Sequence, residues 1–374
     1  MVYLDYSSTT PVLYEVLESY NKATKEFMAN ANSLHSLGIK SNKLLENAIL
    51  QISELFGVRQ KEIIFTSGAT ESNNAAIKGV ALAYENRGNH IIISKLEHPS
   101  VYAICEYLET IGFEISKVKN DENGLIDFED LKNLIRKDTI LVSINAVNNE
   151  LGIRQPLKTI RQIIKKQNIN TIFHSDVTQG IGKAPINLHD VDLASMSTHK
   201  IYGPKGIGIL YKNEKIEITP IIHGSTKNNG LRPGTPPLPL IVATSKALRI
   251  ALSDIDKKTA VVRKLNEQIT TELEKLDGIL INKTNYSIPH ILNITIQDIR
   301  PETFIHALES HDVYIGTSTA CVSGDISASV MAVWGDRKRA LSTIRISLSH
   351  ITTNNEINRF LEAFKIEYEK LKEL

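Results

Sequence analysis

The stretch TIFHSDVTQGIGKAPINLHDVDLASMSTHK, residues 171–200, decides the fold class. It contains two apolar runs, TIFH and VDLASMS, and small polar residues follow each of them at once. Short apolar runs bounded by turn-forming residues are typical of buried strands. Two such strands in close succession indicate a parallel pair whose polar ends lie at the same edge of a sheet.

The same alternation of strand-like and helix-like segments surrounds this stretch. The other strand-like runs are EIIF at 62–65, HIIIS at 90–94, FEISKV, TILVSINAV and GIGILY. The helix-like runs are ATESNNAAIKGVALAYE, SVYAICEYLETIG, DFEDLKNLIR and LKTIRQIIKKQ. Such alternation predicts an α/β fold, with a largely parallel sheet covered by helices on both faces. Ligands bind at the carboxyl ends of the strands in such sheets, so we expect the polar segments TSGATES, EHPS, NNE, SDVTQ and STHK to share one pocket.

The rest of the chain has a different pattern. A proline- and glycine-rich stretch, LRPGTPPLPL, precedes a long helical segment predicted from roughly Leu240 to Leu276. Beyond it, the strands HILNITI and TIRISL, the helix PETFIHALES and a terminal helix from about Asn354 predict a smaller α+β unit. We therefore predict a large domain over 12–250 and a small domain made of 1–11 together with 251–374.

Composition excludes several classes of protein. The 374 residues are 42% hydrophobic and 23% charged, with a formal net charge of +1, which disfavours nucleic acid as a direct ligand. No run of about 18 apolar residues is present and the start, MVYLDYSSTT, lacks the features of a secretory signal, so we expect a cytoplasmic protein without membrane contact. The two cysteines and the scattered histidines do not match metal-ligand spacings, and no metal site is predicted.

Lys200 and Asp176 are the first candidates for chemistry. An acid at a strand end, followed one strand later by a lysine in a small polar loop, suits pyridoxal 5'-phosphate. Lys200 would form the Schiff base, and Asp176 would keep the pyridine nitrogen protonated. Taken alone, a solvated surface lysine and a turn-forming aspartate are the more common explanations.

Other polar residues after strands support the same cofactor. Ala69 and Thr70 open a helix, where free N–H groups could seat a phosphate, although Thr70 could equally be a simple helix cap. His98 in KLEHPS could stack on a planar ring and move protons, or be an ordinary loop residue. Asn149 and Gln179 are neutral groups suited to a phenolic oxygen.

Two residues of the smaller unit are also candidates. Cys321 lies in GTSTACVSGD, among small polar residues where a thiolate could form and attack, whereas Cys105 lies among apolar residues and is expected in the core. Arg345 in TIRISL could bind a substrate carboxylate through two hydrogen bonds, but a lone strand arginine is more often structural.

As a set, these residues resemble the cysteine desulfurases of the NifS/IscS type, which are class-V aminotransferases of fold-type I that use pyridoxal phosphate. The resemblance extends nearly from end to end: YLDYSSTTP, NSLHSLG, EIIFTSGATES, SKLEHPS, NNELG, HSDVTQ, STHKIYGPKGIG, RPGT, TACVS and TIRISL. It implies a large domain with a mainly parallel seven-stranded sheet and a smaller α+β domain. The stretches NANS at 30–33 and HGSTKNNGLRPGT at 223–235 depart from the family pattern.

The resemblance also implies roles for individual residues. Lys200 matches the Schiff-base lysine, Asp176 the partner of the pyridine nitrogen, Gln179 a neighbour of the ring oxygen and His98 the stacked acid and base. The phosphate cup is implied to consist of Ala69, Thr70, Ser197 and His199, completed by Thr235 from the second subunit of a homodimer. Asn149 and Arg345 match residues that engage the cofactor oxygen and the substrate carboxylate, and Cys321 matches the sulfur-accepting nucleophile.

The implied activity is removal of sulfur from L-cysteine, giving L-alanine and a persulfide on Cys321. That persulfide would pass to an iron-sulfur cluster scaffold or to a tRNA sulfurtransferase. Two alternatives remain open at this point. One is another fold-type I lyase or aminotransferase, such as a selenocysteine lyase, and the other is a non-catalytic scaffold for sulfur transfer.

Overall fold

A computed structural model describes residues 1–225, 230–317 and 326–373. The strands are β1 (Val2–Leu4), β2 (Ile63–Thr66), β3 (His90–Ser94), β4 (Glu114–Val118), β5 (Thr139–Ser143), β6 (Ile172–Asp176), β7 (Leu193–Ser197), β8 (Gly208–Lys212), β9 (Ile279–Asn282), β10 (Ile291–Ile296), β11 (Val313–Thr317) and β12 (Thr343–Ser347). The α-helices are α1 (Tyr14–Glu26), α2 (Ser36–Phe56), α3 (Ala69–Tyr84), α4 (Pro99–Thr110), α5 (Phe128–Leu134), α6 (Leu157–Gln167), α7 (Leu238–Leu252), α8 (Ile255–Leu273), α9 (Pro301–Glu309), α10 (Ala328–Trp334), α11 (Arg337–Leu341) and α12 (Asn354–Lys372). Short 3-10 helices cover Gln60–Glu62, Leu188–Asp190 and Thr198–Lys200.

The larger sheet has seven strands in the order β2-β8-β7-β6-β5-β3-β4. Strands β4, β3, β5, β6 and β7 pair in parallel, while β8 runs antiparallel to both of its neighbours, β7 and β2. This confirms the predicted mainly parallel seven-stranded sheet. Because β2, β3, β5, β6 and β7 run in one direction, the polar segments that follow them all lie at the same edge.

Both faces of this sheet are buried under helices. Ile92 packs with residues of α2, α6 and α7 on one face, whereas its neighbours Ile91 and Ile93 pack with residues of α3 and α4 on the other. This alternation follows from the two-residue period of a strand, and it explains why the strands read as continuous apolar runs. Cys105 is buried in the second cluster, which confirms its expected place in the core.

The smaller sheet has the order β1-β11-β12-β10-β9 and packs against helices α8, α9 and α12. Strand β1 pairs in parallel with β11, so the amino-terminal segment packs on this unit as expected. Phe364 of α12 lies in the middle of its core, with ring centroids 4.7 Å from Phe304 and 5.7 Å from Phe360. The proposed domain boundaries stay a prediction.

The single long helix predicted from about Leu240 to Leu276 is wrong, because the structure breaks it into α7 and α8. The Ser253 hydroxyl donates to the Ile250 carbonyl at 2.9 Å, and Asp254 adopts a left-handed backbone with φ +49°. The Ser253 contact competes with helical hydrogen bonds, and the left-handed backbone of Asp254 cannot continue a right-handed helix, so the helix breaks here. Among the described residues, none of the helices is long and apolar enough to cross a membrane.

Candidate active site

The polar segments at the strand ends surround a cavity of about 310 Å³. Ten of the predicted site residues line it: Ala69, Thr70, His98, Asn149, Asp176, Gln179, Ser197, His199, Lys200 and Arg345. Residues that the sequence reasoning did not single out complete the wall: Ser7, Ser8, Asn145, Val147 and Thr178. Residues more than three hundred positions apart therefore share one pocket.

Lys200 ends the 3-10 helix that follows β7. Its Nζ donates to the carbonyl oxygens of Ser7 and Ser8, both at 2.6 Å. These two residues follow β1, so the start of the chain closes the cavity over the amine. The amine thus lies inside the cavity wall, where a carbonyl compound can reach it.

Asp176 is the last residue of β6 and is buried. Its Oδ2 accepts from the Asn73 side-chain amide at 2.9 Å, and its Oδ1 accepts from the backbone N–H of Thr178 at 3.0 Å. Donors to both oxygens fix the orientation of the carboxylate. A carboxylate held in this way can keep a proton on a ring nitrogen.

His98 caps the amino end of α4. Its Nδ1 accepts from the Ser100 N–H at 3.1 Å and lies 2.9 Å from the Ser100 hydroxyl. Burial lowers the pKa of the imidazole below its ordinary value, with Asp176 opposing this effect and Lys200 adding to it. Because Asn73 also donates to the Ser100 hydroxyl, at 3.0 Å, one buried amide links Asp176 to the residue that orients His98.

The amino end of α3 faces the cavity through Ala69 and Thr70. The N–H of Ala69 donates to the Ser197 hydroxyl at 2.7 Å, which ties the helix start to the end of β7. Burial acts to raise the pKa of Glu71, but hydrogen bonds from Ser67 and Arg232 hold it below its ordinary value. The Glu71 charge is therefore paired with Arg232, and the helix terminus remains suited to an anion.

A glycine makes this arrangement possible. A Cβ on Gly208 would lie 2.6 Å from the Gly68 Cα and 2.6 Å from the Met196 carbonyl oxygen. Only a residue without a side chain allows β8 to pass this close to the turn before α3. Gly208 therefore allows β8, Ser197 and the amino end of α3 to lie close together.

Arg345 projects from β12 and is only 4% exposed. Its Nη2 donates to Asp5 Oδ1 at 2.9 Å and to the Ser8 hydroxyl at 2.7 Å, and its Nη1 donates to the Asn149 carbonyl at 3.2 Å. Its Nε is buried and has no hydrogen-bond partner within the described ranges. A guanidinium fixed in this way, with a donor to spare, can bind a carboxylate.

Gln179 and His199 also contact the amino-terminal segment that closes the cavity over Lys200. The Gln179 Nε2 donates to the Ser7 carbonyl at 2.9 Å, and the His199 Nδ1 lies 3.3 Å from the Thr9 hydroxyl. Burial, with the positive charge of Lys200 as the next cause, lowers the pKa of His199 to about 4. His199 is therefore a neutral hydrogen-bonding group at pH 7.

Another histidine is buried in the sheet, two residues before Asp176. The His174 Nδ1 lies 2.8 Å from the Ser143 hydroxyl, and its Nε2 lies 3.0 Å from the Ser195 hydroxyl. Burial lowers its pKa to about 4, although Asp176 acts in the opposite direction. The neutral ring thus joins β5, β6 and β7 beneath the site.

Two predicted site residues are not placed at the cavity. Thr235 lines a different cavity of about 350 Å³, together with Phe65 and Ile241. Cys321 lies outside the described residues. Among the residues that are described, no group of three or more histidine, cysteine or acidic side chains could hold a metal ion.

Asn73 and Ser100 are further polar residues near the site that the sequence reasoning missed, as it missed Asn145 in the cavity wall. Asn73 and Ser100 each lie close after a predicted site residue, Thr70 and His98 respectively, and helix periodicity could have suggested Asn73. Asn145 lies in the apolar run SINAV, where nothing marks it as more than a strand residue. The buried Asn145 Oδ1 has no hydrogen-bond partner in the part of the chain that the structure describes.

The donor set fits pyridoxal 5'-phosphate. An amine, a carboxylate with both oxygens hydrogen-bonded, a neutral imidazole and a helix amino terminus surround one cavity. These groups match the aldehyde, the ring nitrogen, the ring face and the phosphate of that molecule, in that order. Arg345 lines the same cavity.

Known proteins resemble this chain over nearly its whole length. The family described as aminotransferase class-V matches residues 2–360. The cysteine desulfurase IscS of Buchnera aphidicola is 40% identical to this chain, over 100% of the chain and 94% of the relative. A solved structure called a NifS-like protein superposes with a TM-score of 0.94 at 37% identity, covering 100% of both chains. A structure of SspA in complex with cysteine superposes with a TM-score of 0.81 at 32% identity, over 94% of this chain and 100% of the other.

Proposed function

Because the chain belongs to the class-V aminotransferase family, we propose that it is a cysteine desulfurase, which uses pyridoxal 5'-phosphate to remove sulfur from L-cysteine. The observation that carries this proposal is the cavity in which Lys200, Asp176, His98 and Arg345 meet. Of these four residues, an aminotransferase needs Lys200 and Asp176. The full-length likeness to proteins named as cysteine desulfurases selects the reaction.

The bound cofactor supplies an electron-withdrawing ring that stabilises negative charge at the substrate's α- and β-carbons. Asp176 holds the proton of the pyridine nitrogen, oriented by Asn73 and by the Thr178 N–H. Ala69, Thr70, Ser197 and His199 bind the phosphate. Asn149 and Gln179 flank the ring oxygen.

Arg345 binds the carboxylate of L-cysteine and so orients its α-hydrogen toward the Lys200 amine. Lys200 takes that proton, and the neutral His98 imidazole can take or return a second one, because its low pKa leaves it unprotonated at pH 7. The carbonyls of Ser7 and Ser8 keep the Lys200 amine in place between these events.

Cys321 is the proposed nucleophile. Its thiolate attacks the substrate sulfur, so a sulfur–sulfur bond forms as the carbon–sulfur bond breaks, and the electron pair of the broken bond remains on carbon. A proton then completes L-alanine, and Cys321 carries the persulfide. The net change is one cysteine and one thiol converted to one alanine and one persulfide, without an external oxidant.

Two variants test the proposal. In the Lys200→Ala variant, both the visible absorption of the bound cofactor and alanine formation from L-cysteine should be lost. The Cys321→Ala variant should keep the absorption and lose sulfide release. Continued desulfuration by Cys321→Ala would contradict the assigned nucleophile, and an absorption band that survives Lys200→Ala would contradict the assigned cofactor lysine.

We further propose a homodimer in which Thr235 completes the phosphate cup of the other subunit. Within one chain Thr235 lies in a separate cavity, which supports a role across an interface. Co-expression of Lys200→Ala and Thr235→Val chains tests this proposal. If Thr235 acts across the interface, the mixed dimer has one site that carries both defects and one intact site, and it regains activity that neither parent dimer has. No recovery in an isolated mixed dimer would refute the assignment.

The sulfur acceptor is proposed to be an iron-sulfur cluster scaffold or a tRNA sulfurtransferase. Transfer of labelled sulfur from the purified persulfide form to each candidate distinguishes the two. The expected cytoplasmic location stays a prediction.

A further inference from the structure

Two residues, Gln179 and Lys183, separate the active-site cavity from a second and larger cleft of about 1100 Å³. Gln179 lines the cavity, and Lys183, four positions later, lines the cleft. The Lys183 Nζ donates to the Gln179 Oε1 at 2.6 Å. The described mechanism uses Gln179 but gives Lys183 no part.

The backbone fixes Lys183 in this position. The N–H of Lys183 donates to the Gly180 carbonyl at 3.1 Å, and the Lys183 carbonyl accepts from the Thr259 hydroxyl at 3.4 Å. Gly182 between them has φ +71°, and a Cβ there would lie 2.9 Å from the Ala251 Cβ of α7. The turn that carries Lys183 is therefore packed against a helix.

The contact with Lys183 decides which end of the Gln179 amide faces the cavity. An amide has one accepting oxygen and one donating NH₂ group, and the Lys183 amine contacts the oxygen at 2.6 Å. The NH₂ group of Gln179 is therefore on the cavity side. There it donates to the Ser7 carbonyl at 2.9 Å, the same oxygen that accepts from Lys200.

We propose that Lys183 is a positioning residue for the reaction, which holds the Gln179 amide with its NH₂ group toward the oxygen of the bound cofactor's ring. This inference rests on the proposed function, because it assumes that the cofactor occupies the cavity. Without Lys183 only the Ser7 carbonyl holds the amide, and a rotated amide would place its oxygen against another oxygen. The ring oxygen would lose a hydrogen-bond donor.

Electrostatics supports this arrangement. Burial lowers the pKa of Lys183 to about 7, with Lys200 and Arg345 as further causes. Four charged or titratable side chains interact electrostatically with Lys183: Lys200, Arg345, His199 and His290. An amine kept beside two cations needs an acceptor, and the Gln179 oxygen provides one.

The test measures the pH at which the visible absorption band of the bound cofactor changes, in holoenzyme without substrate. A donor to the ring oxygen makes that oxygen less basic, so its loss should move the midpoint to higher pH. For Lys183→Met we expect a rise of about one pH unit, the effect of one lost hydrogen bond to a charged group. Lys183→Arg keeps a donor and should restore the wild-type midpoint. Lys283→Met is the matched control, since Lys283 is an exposed lysine of the same cleft, and should leave the midpoint unchanged.

A second comparison separates orientation of the amide from simple loss of a charge. In a Gln179→Leu background, Lys183→Met should add little to the shift that Gln179→Leu itself produces. An unchanged midpoint in Lys183→Met, or a full additional shift in the double variant, would overturn the inference. Lys183→Leu serves in the same comparisons if Lys183→Met does not fold. A wild-type protein without a cofactor band that depends on Lys200 would instead refute the proposed function.

Discussion

Replacing Gly208 with alanine should weaken cofactor binding beyond its cost to the fold. The added Cβ would lie 2.6 Å from both the Gly68 Cα and the Met196 carbonyl oxygen, whereas ordinary contact begins at 3.4 Å. Strand β8 cannot move away, because Gly208 is paired with Thr66 on one side and with Ser197 on the other. The turn at Gly68 and the Met196 carbonyl must therefore each give way by about 0.8 Å, the difference between the two contact distances.

Such a shift acts on two measurable quantities. Overpacking of this kind costs about 1–3 kcal/mol of unfolding free energy. It also displaces the amino end of α3 at Ala69 and Thr70. A hydrogen bond from this helix end to the phosphate that is lengthened by about 0.8 Å is longer than a normal hydrogen bond. Loss of even one hydrogen bond to a charged phosphate costs about 1.5–3 kcal/mol, so the Kd for pyridoxal phosphate should rise at least about tenfold.

Gly206→Ala is the control. Gly206 has φ +81°, and a Cβ added there would meet no atom within 4 Å, so alanine should cost about 1–2 kcal/mol of stability through backbone strain alone. Its Kd for the cofactor should stay at the wild-type value. Urea unfolding of the apoprotein and absorbance titration with the cofactor measure the two effects separately. Equal cofactor affinities in the two variants would refute the reasoning.

Three further changes give expected outcomes. Arg345→Lys should raise the KM for L-cysteine about tenfold or more in steady-state kinetics, because a lysine ammonium group cannot replace the bidentate hydrogen bonds of a guanidinium group. An unchanged KM would argue that Arg345 does not bind the substrate carboxylate. Asn73→Ala removes a hydrogen-bond donor from both Asp176 and Ser100, so alanine formation should fall about 10- to 100-fold while urea unfolding still shows a folded protein. Turnover at the wild-type rate would show that the Asn73 amide is dispensable. His174 has a pKa of about 4 in the folded chain against an ordinary 6.5, so as pH falls from 6.5 toward 4 the unfolded chain takes up the proton first and stability declines, by about 3 kcal/mol from this group. His174→Gln should lose less stability over that interval in denaturant titrations, and a pH dependence identical to the wild type would show that His174 has no part in it.

Much of the larger sheet follows from the sequence, because a buried parallel strand carries an apolar signal along its whole length. HIIIS, for example, coincides with β3 at His90–Ser94. Half-buried elements have weaker signals. Strand β11 and helices α1 and α2 were not predicted, since VYIGT is short and α1 has many exposed positions.

The residues of the site also differ in how clearly the sequence indicates them. Asp176 ends β6 and Lys200 lies three residues after β7, and the alternation of elements marks both positions as candidates. The contacts of Lys200 with Ser7 and Ser8 could not be predicted from the sequence, because they depend on how the two sheets are placed in space. Patterns along the chain record local structure and burial, whereas such contacts arise only from tertiary packing.

The parallel pairing of β1 with β11 has a consequence for how the protein is made. Val2 is paired with Val313, so at about 5–20 residues per second the ribosome needs roughly 15–60 s after adding the first residue to produce its partner. Until then β1 has no strand to pair with, so the segment with Ser7 and Ser8, which contacts Lys200, lacks its anchor on the smaller sheet. The cavity around Lys200 is therefore completed only near the end of synthesis, and we expect the cofactor to bind after the chain is complete and not to guide its early collapse.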